Sequence, residues 1–115
     1  MQTNIEQIRA KNALSETAAK AKRNKDDGEG DALSGYPSLI INNGLLSTIA
    51  FAVYKEGHHS RIADAIAYHL NDQKIISATG ATNLRTALVN CESSALRRAT
   101  SETLAFLSYL KRFHK

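Results

Sequence analysis

The residues with the clearest capacity for chemistry are the cations near the C-terminus. Positions 81–115 carry six basic residues against two acidic ones, a local charge of +4. Cations gathered along one helix can neutralise the phosphates of a single-stranded nucleic acid. A solvated helix face, with cations near the negative helix end, explains the same pattern and is slightly favoured by the sequence alone. The candidates are Arg97, Arg98, Lys111, Arg112 and Lys115.

A second basic region lies near the N-terminus, where positions 1–25 carry six basic and two acidic residues. Its cations are spread around the axis of the expected helix, so partner docking and plain solubility explain them equally well. Its candidates are Arg9, Lys20, Lys22 and Arg23. Four acidic residues follow in the segment from Asp26 to Asp31, which gives the chain two basic ends and one acidic stretch.

No grouping of side chains points to catalysis or metal binding. A metal site needs three or four convergent ligands, yet the histidines show no His-x-x-x-His spacing and the single cysteine has no pair. We expect the histidines to be structural and Cys91 to be a buried small apolar residue. No pair of carboxylates suggests acid–base work. An enzyme is therefore the weakest interpretation, and we expect no cofactor and no metal.

Length and composition exclude several classes of protein. A chain of 115 residues is long enough to bury one core, which favours a single domain. One cysteine cannot form an internal disulfide, and the N-terminus lacks the pattern of a signal peptide. The most apolar run, positions 45–54, is about half the length that spans a bilayer. The expectation is a cytoplasmic protein with no membrane contact.

The elements that must position these residues are all predicted to be helices. The expected organisation is one all-α domain over 1–115, a bundle of five or six helices without significant sheet. Positions 1–24 form an N-terminal helix, 25–35 a flexible acidic glycine-rich loop and 36–115 the helical core. The predicted helices are 3–23, 37–42 with Pro37 in its first turn, 44–55, 60–70, 83–91 and 93–114. The 44–55 helix is apolar on nearly every side, which predicts a place in the middle of the core.

The last predicted helix has two distinct sides. At 100° per residue an apolar stripe spans about 120°, and most of the cations fall opposite it. The stripe consists of Leu96, Ala99, Thr103, Phe106, Leu107, Leu110 and Phe113. Glu102 lies at the boundary, where we expect it to pair with Arg98 one turn earlier.

Three stretches of the chain resemble one protein family, and the strongest is the C-terminal one. Positions 96–113 read Leu-Arg-Arg-Ala-Thr-Ser-Glu-Thr-Leu-Ala-Phe-Leu-Ser-Tyr-Leu-Lys-Arg-Phe, and positions 36–45 read Tyr-Pro-Ser-Leu-Ile-Ile-Asn-Asn-Gly-Leu, with Ala-Phe following at 50–51. The less specific third stretch is Glu-Gln-Ile-Arg-Ala at 6–10, with Ala13 following. Together they resemble the small all-helical subunit of the type III-B (Cmr-type, RAMP module) CRISPR effector complex. Departures from the family pattern are mild, such as Tyr109 in place of Trp and Lys111 in place of Arg.

The resemblance implies a non-catalytic structural subunit. Such subunits stack with neighbouring copies along the inside of the ribonucleoprotein filament, beside the backbone subunits and the large subunit. They help to shape the basic channel in which guide and target RNA pair during antiviral defence, and other subunits carry the RNA-cutting activity. By this resemblance the C-terminal cations would lie near RNA. Two alternatives stay open: a free-standing helical nucleic-acid-binding protein and a homo-oligomerising helical adaptor.

Overall fold

Residues 4–21 and 32–113 are described by the structure, a computed structural model, and they form seven α-helices. The helices are α1 (Ile5–Ala13), α2 (Glu16–Ala19), α3 (Ala32–Asn43), α4 (Leu45–Lys55), α5 (Gly57–Asp72), α6 (Gly80–Asn90) and α7 (Ser93–Arg112). No strand occurs in these two ranges, so the predicted all-α fold class is confirmed. None of the described helices is long and apolar enough to cross a membrane.

The predicted N-terminal helix is two helices. Asn4 begins α1 with a capping box, because its side chain accepts from the Gln7 amide while the Gln7 side chain accepts from the Asn4 amide. After Leu14 the Ser15 hydroxyl accepts a hydrogen bond from the Ala18 amide and begins α2. The run of alanines hid this break, since serine competes for backbone hydrogen bonds and favours a helix start. Splitting this helix contributes to the count of seven helices in the described ranges, where five or six were predicted.

The predicted loop over 25–35 is only partly testable. Positions 22–31 lie outside the described residues, but α3 already begins at Ala32, so the expectation of a loop over 32–35 was wrong. Pro37 consequently lies inside α3 rather than in its first turn. Burial of Leu33, one turn before Pro37, and of Tyr36, directly before it, stabilises helix that proline by itself would disfavour.

Gly44 separates α3 from α4, at the boundary between the predicted helices 37–42 and 44–55. Its φ of +89° is a conformation that side chains with a Cβ rarely adopt. The Gly44 amide donates to the Ile40 carbonyl at 2.8 Å and closes α3. Its carbonyl accepts from the Thr48 hydroxyl at 2.8 Å within α4. The turn therefore fixes how α3 and α4 enter the fold.

The centre of the core is α5 rather than the predicted 44–55 helix. α5 packs against each of the other six described helices and buries Ile62, Ile66 and Leu70 completely. α4 leaves one side open, where Tyr54 is 83% exposed and Phe51 is 40% exposed. An apolar composition shows what a helix can bury, whereas its neighbours decide what is covered.

The two sides predicted for the last helix are confirmed in α7. Five residues of the predicted stripe are buried: Ala99, Thr103, Phe106, Leu107 and Leu110. Leu96 is half-buried and Phe113 is 43% exposed at the helix end. Just before α7, Cys91 is half-buried rather than buried, with its thiol 3.5 Å from the Leu88 carbonyl.

Candidate functional site

The predicted C-terminal cations lie on the solvent side of α7. Arg97, Arg98, Lys111 and Arg112 are all exposed, whereas Lys115 lies outside the described residues. Arg97 and Lys111 are separated by about 20 Å along the axis, at roughly 1.5 Å per residue. The cations therefore form one pair near the start of α7 and a second pair at its end, rather than one continuous patch.

A groove runs beside these cations, between α7 and the α3–α4 corner. Its first part has a volume of about 640 Å³ and is lined mainly by residues around Gly44 and by the first half of α7. A second part of about 450 Å³ continues toward the end of α7 between Pro37 and Arg112. The two parts adjoin at Leu104, which lines both, and together we call them the α7 groove.

Carbon-rich side chains form the floor of the α7 groove, and cations stand at its two ends. Leu46, Leu96 and Leu104 are half-buried in it, and Ile41 is 70% exposed beside them. Arg97 lines the first part, while the last two α7 cations, Lys111 and Arg112, line the second. Among the described residues, no acidic side chain lines either part.

The second basic region does not form a surface of its own in the described residues. Lys20 is exposed, and Lys22 and Arg23 lie outside the described ranges. Arg9 has a structural partner, because its Nε and Nη2 atoms donate to the two carboxylate oxygens of Glu102 at 2.7 and 2.8 Å. The expected pairing of Glu102 with Arg98 was therefore wrong. A bidentate guanidinium–carboxylate contact is stronger than a solvated pair on one helix face.

Sequence reasoning missed a polar network that extends from this ion pair into the core. The Nε2 atom of His69, a fully buried residue, lies 2.8 Å from Glu102 Oε2. On the other side of the ring, Asn12 Nδ2 lies 2.9 Å from His69 Nδ1 and 3.0 Å from Asp72 Oδ2. The network thereby ties α1 to both α5 and α7.

The hydrogen-bond pattern around His69 fits its neutral form. The Asn12 amide donates to Asp72, so its second hydrogen is available for Nδ1, and Nε2 then carries the proton that Glu102 accepts. The His69 ring also stacks on Phe106 with centroids 4.4 Å apart and planes 8° apart. His69 therefore lies between the Asn12 amide, which donates to Nδ1, and the Phe106 ring, and these surroundings suit an uncharged imidazole.

Burial and charge set the pKa values within this network. Burial lowers the pKa of His69, outweighing the hydrogen bond to Glu102 that favours its charged form. Burial opposes ionisation of Glu102 too, but hydrogen bonds from Arg9 and His69 together lower the pKa of its carboxyl group. The hydrogen bond to Glu102 raises the pKa of Arg9. An ionised Arg9–Glu102 pair next to a neutral His69 is the state that these shifts favour.

The other described histidines also have structural partners. His58 is buried, and its Nε2 atom lies 2.7 Å from the Ala21 carbonyl. His59 Nδ1 lies 2.8 Å from the Tyr36 hydroxyl. Across residues 4–21 and 32–113, no three His, Cys, Asp or Glu side chains form a group that could hold a metal ion.

The fold and this surface define a small all-helical protein whose last helix presents cations beside an apolar groove. The sequence model of the family described as CRISPR-associated protein (Cas_Cmr5) matches residues 5–115, and the chain therefore belongs to the Cmr5 family. Membership makes it a small type III-B (Cmr-type) CRISPR subunit that belongs to a complex with other Cmr subunits.

A solved structure supports the fold independently. The X-ray crystal structure of a CRISPR-associated Cmr5 family protein from Thermus thermophilus superposes with a TM-score of 0.75. The two chains share 24% sequence identity over 96% of this chain and 95% of the other. At that identity the similarity establishes a common fold. No sequence match was found among the curated proteins.

Proposed function

We propose that this chain is a non-catalytic structural subunit that helps to shape an RNA channel inside a type III-B CRISPR ribonucleoprotein. In this role it stacks along the inner filament beside the backbone and large subunits and neighbouring copies of itself. Guide and target RNA pass along its basic side. The observation that carries the RNA contact is the exposure of the α7 cations opposite the helix side that packs into the core.

The lack of internal ion pairs at these cations, within the described residues, supports the proposal. In the described part of the chain, Arg97, Arg98 and Lys111 form no ion pair, and the guanidinium of Arg112 lies 6.0 Å from the Tyr109 ring centroid. Unpaired cations can neutralise phosphates without first breaking an internal salt bridge, and they release counterions when they do so.

The structural roles of the polar core support a subunit without its own chemistry. His69 and Glu102 are bound to each other and to α1, and His58 contacts a backbone carbonyl. These contacts stabilise the helix packing. We therefore assign RNA cleavage to other subunits of the complex.

Charge reversal in the reconstituted ribonucleoprotein tests the RNA contact. The triple variant Arg97→Glu, Arg98→Glu, Arg112→Glu should bind target RNA more weakly. Its plot of log affinity against log salt should be shallower by roughly 0.7 for each contact to a single strand that is lost, and by about 2 when all three are lost. The readout is target-RNA affinity of the assembled complex over a salt series.

A matched triple variant separates local contacts from net charge. Lys11, Lys55 and Lys74 are exposed cations that lie outside α7, and Lys→Glu at all three makes the same change in total charge. This control should keep the salt slope of the parent complex. Equal slopes for all three complexes would contradict an RNA contact at α7.

A further inference from the structure

The α7 groove has the properties of a docking site for a helix. We propose that it binds an amphipathic helix with acidic flanks, contributed by a different protein subunit of the complex. This inference rests on the proposed structural role and specifies the chemistry of one partner. Arg97, Lys111 and Arg112, which line the groove, would then contact the partner protein, and Arg98, which lines neither part of it, would face RNA.

The floor of the groove supplies the apolar part of the contact. Leu46, Leu96 and Leu104 are only half-buried, and Ile41 next to them is 70% exposed. Apolar surface that is contiguous and concave marks an interaction site more often than scattered exposed residues do. An amphipathic helix fills such a groove with apolar side chains spaced three, four and seven residues apart.

The charges at the ends of the groove specify the flanks of the partner. Arg97 lies at one end, and Lys111 and Arg112 lie at the other, about 20 Å away along α7. No described acidic residue of this chain lines the groove to neutralise them. A partner helix of about four turns reaches both ends, and carboxylates near its two ends would meet these cations.

The same observations disfavour two other occupants. RNA presents charged phosphates along its whole length, which suits the outward ridge with Arg98 better than an apolar floor between two charged ends. A second copy of this chain brings 15 basic residues against 11 acidic ones. Four of those acidic residues lie in the segment from Asp26 to Asp31, so its helices would mostly oppose like charge.

Photo-crosslinking within the reconstituted complex identifies the occupant. A photoreactive benzoylphenylalanine in place of Ile41 should crosslink to an amphipathic helix of another protein subunit that carries acidic residues near both of its ends. The same probe in place of Val89, an exposed apolar residue of α6 that does not line the groove, is the control and should not capture that helix. Mass spectrometry of the crosslinked peptides gives the partner segment.

Every other crosslinking result overturns the proposal. Capture of RNA at position 41 would make the groove an RNA site, and capture of another copy of this chain would make it a stacking surface. Capture of a non-acidic segment, or of nothing in the fully assembled complex, would exclude the proposed partner chemistry. In each case the salt slope of a complex with Arg98→Glu alone, a change outside both parts of the groove, tests the proposed function separately.

A second variant measures the contribution of the floor without disturbing the core. Ile41→Asp places a charge on a side chain that is 70% exposed, so the fold should tolerate it. We expect about ten-fold weaker incorporation into the complex, the size of a substantial interface contact. Val89→Asp, at 63% exposure, should incorporate like the parent chain. Equal incorporation of the two variants would overturn the proposal.

Discussion

Arg9 and Glu102 join the first helix of the fold to the last through two hydrogen bonds of 2.7 and 2.8 Å between residues 93 positions apart. Glu102 simultaneously contacts the fully buried His69 of the central helix. α1 is exposed over much of its length and buries only Asn12 and Ala13. Because so little apolar surface holds α1, this polar network contributes much of its attachment.

Glu102→Gln should destabilise the protein by about 2 kcal/mol. The change keeps the shape of the side chain but leaves the Arg9 guanidinium without its counter-charge. The full loss for a buried pair is roughly 3–5 kcal/mol, which partial exposure of both groups reduces. Urea unfolding at pH 7 measures the free energy of unfolding.

Arg98→Gln is the control, since that exposed residue has no ion pair in the described structure and should change stability by less than about 0.5 kcal/mol. A larger effect at Arg98 than at Glu102 would contradict the observed pairing.

Stability should fall as the pH drops below the ordinary histidine range because of His69. Burial lowers the pKa of His69 in the folded protein, so the unfolded chain binds a proton near pH 6.5 that the folded protein does not. The contribution of neutral His69 to the free energy of unfolding is therefore fully present above that pH. It is lost progressively from about 6.5 down to the folded pKa, with a slope of at most ~1.4 kcal/mol per pH unit. Glu102 adds a separate loss below its ordinary pKa of 4.5, because its folded pKa is lowered as well.

Comparison with a non-titrating variant isolates the His69 contribution. His69→Gln retains a side chain that can hydrogen-bond, and it removes the proton uptake that begins near the ordinary histidine pKa of about 6.5. Its free energy of unfolding at neutral pH should be lower than that of the parent, whereas its decline as the pH is lowered should be shallower. Chemical denaturation at a series of pH values supplies both quantities. Parallel pH profiles would show that His69 does not titrate differently in the folded and unfolded states.

Substitution by alanine should change stability in opposite directions at Gly35 within α3 and at Gly44, which follows the end of α3. Gly44 has a φ of +89°, so Gly44→Ala strains the backbone although nothing lies within 4 Å of the new Cβ. We expect a loss of about 1–2 kcal/mol. Gly35 is helical, exposed and equally unobstructed, so Gly35→Ala should add about 0.5–1 kcal/mol. Thermal and urea unfolding check both signs, and a stabilising Gly44→Ala would contradict the described turn.

Local signals explain which parts of the fold could be predicted from the sequence. The buried side of α7 follows from a period of about 3.6 residues, and the break at Gly44 follows from an Asn-Gly pair that tolerates a left-handed conformation. The Ser15 cap is also local, but a surrounding run of alanines predicts unbroken helix. Pro37 predicts a helix start, whereas burial of Tyr36 and Leu33 extends α3 before it. Tertiary burial therefore overrode a local preference at that point.

The candidate site also combines features that local sequence predicts with features that only the packing of helices determines. Exposure of Arg97 and Arg112 follows from their angular position on one helix, which sequence alone supplies. The α7 groove requires Leu46 and Ile41 to lie alongside α7, a placement that only the packing of three helices provides. The Arg9–Glu102 pair had no local signal either. Both residues do lie within stretches that resemble the family, so the resemblance held a clue to a structural role.

The isolated chain should bind single-stranded RNA only weakly at physiological salt. The described cations of α7 are divided between its two ends, and such sparse contacts give the non-specific affinities of roughly 10⁻⁴ to 10⁻⁶ M. Fluorescence anisotropy with a labelled oligonucleotide measures the dissociation constant, and the Arg97→Glu, Arg98→Glu, Arg112→Glu variant shows how much of it depends on α7. Nanomolar binding by the free chain would instead identify a free-standing RNA-binding protein. Weak binding by the free chain, together with a salt slope in the assembled complex that depends on these cations, is expected of a subunit that forms an RNA channel together with its neighbours.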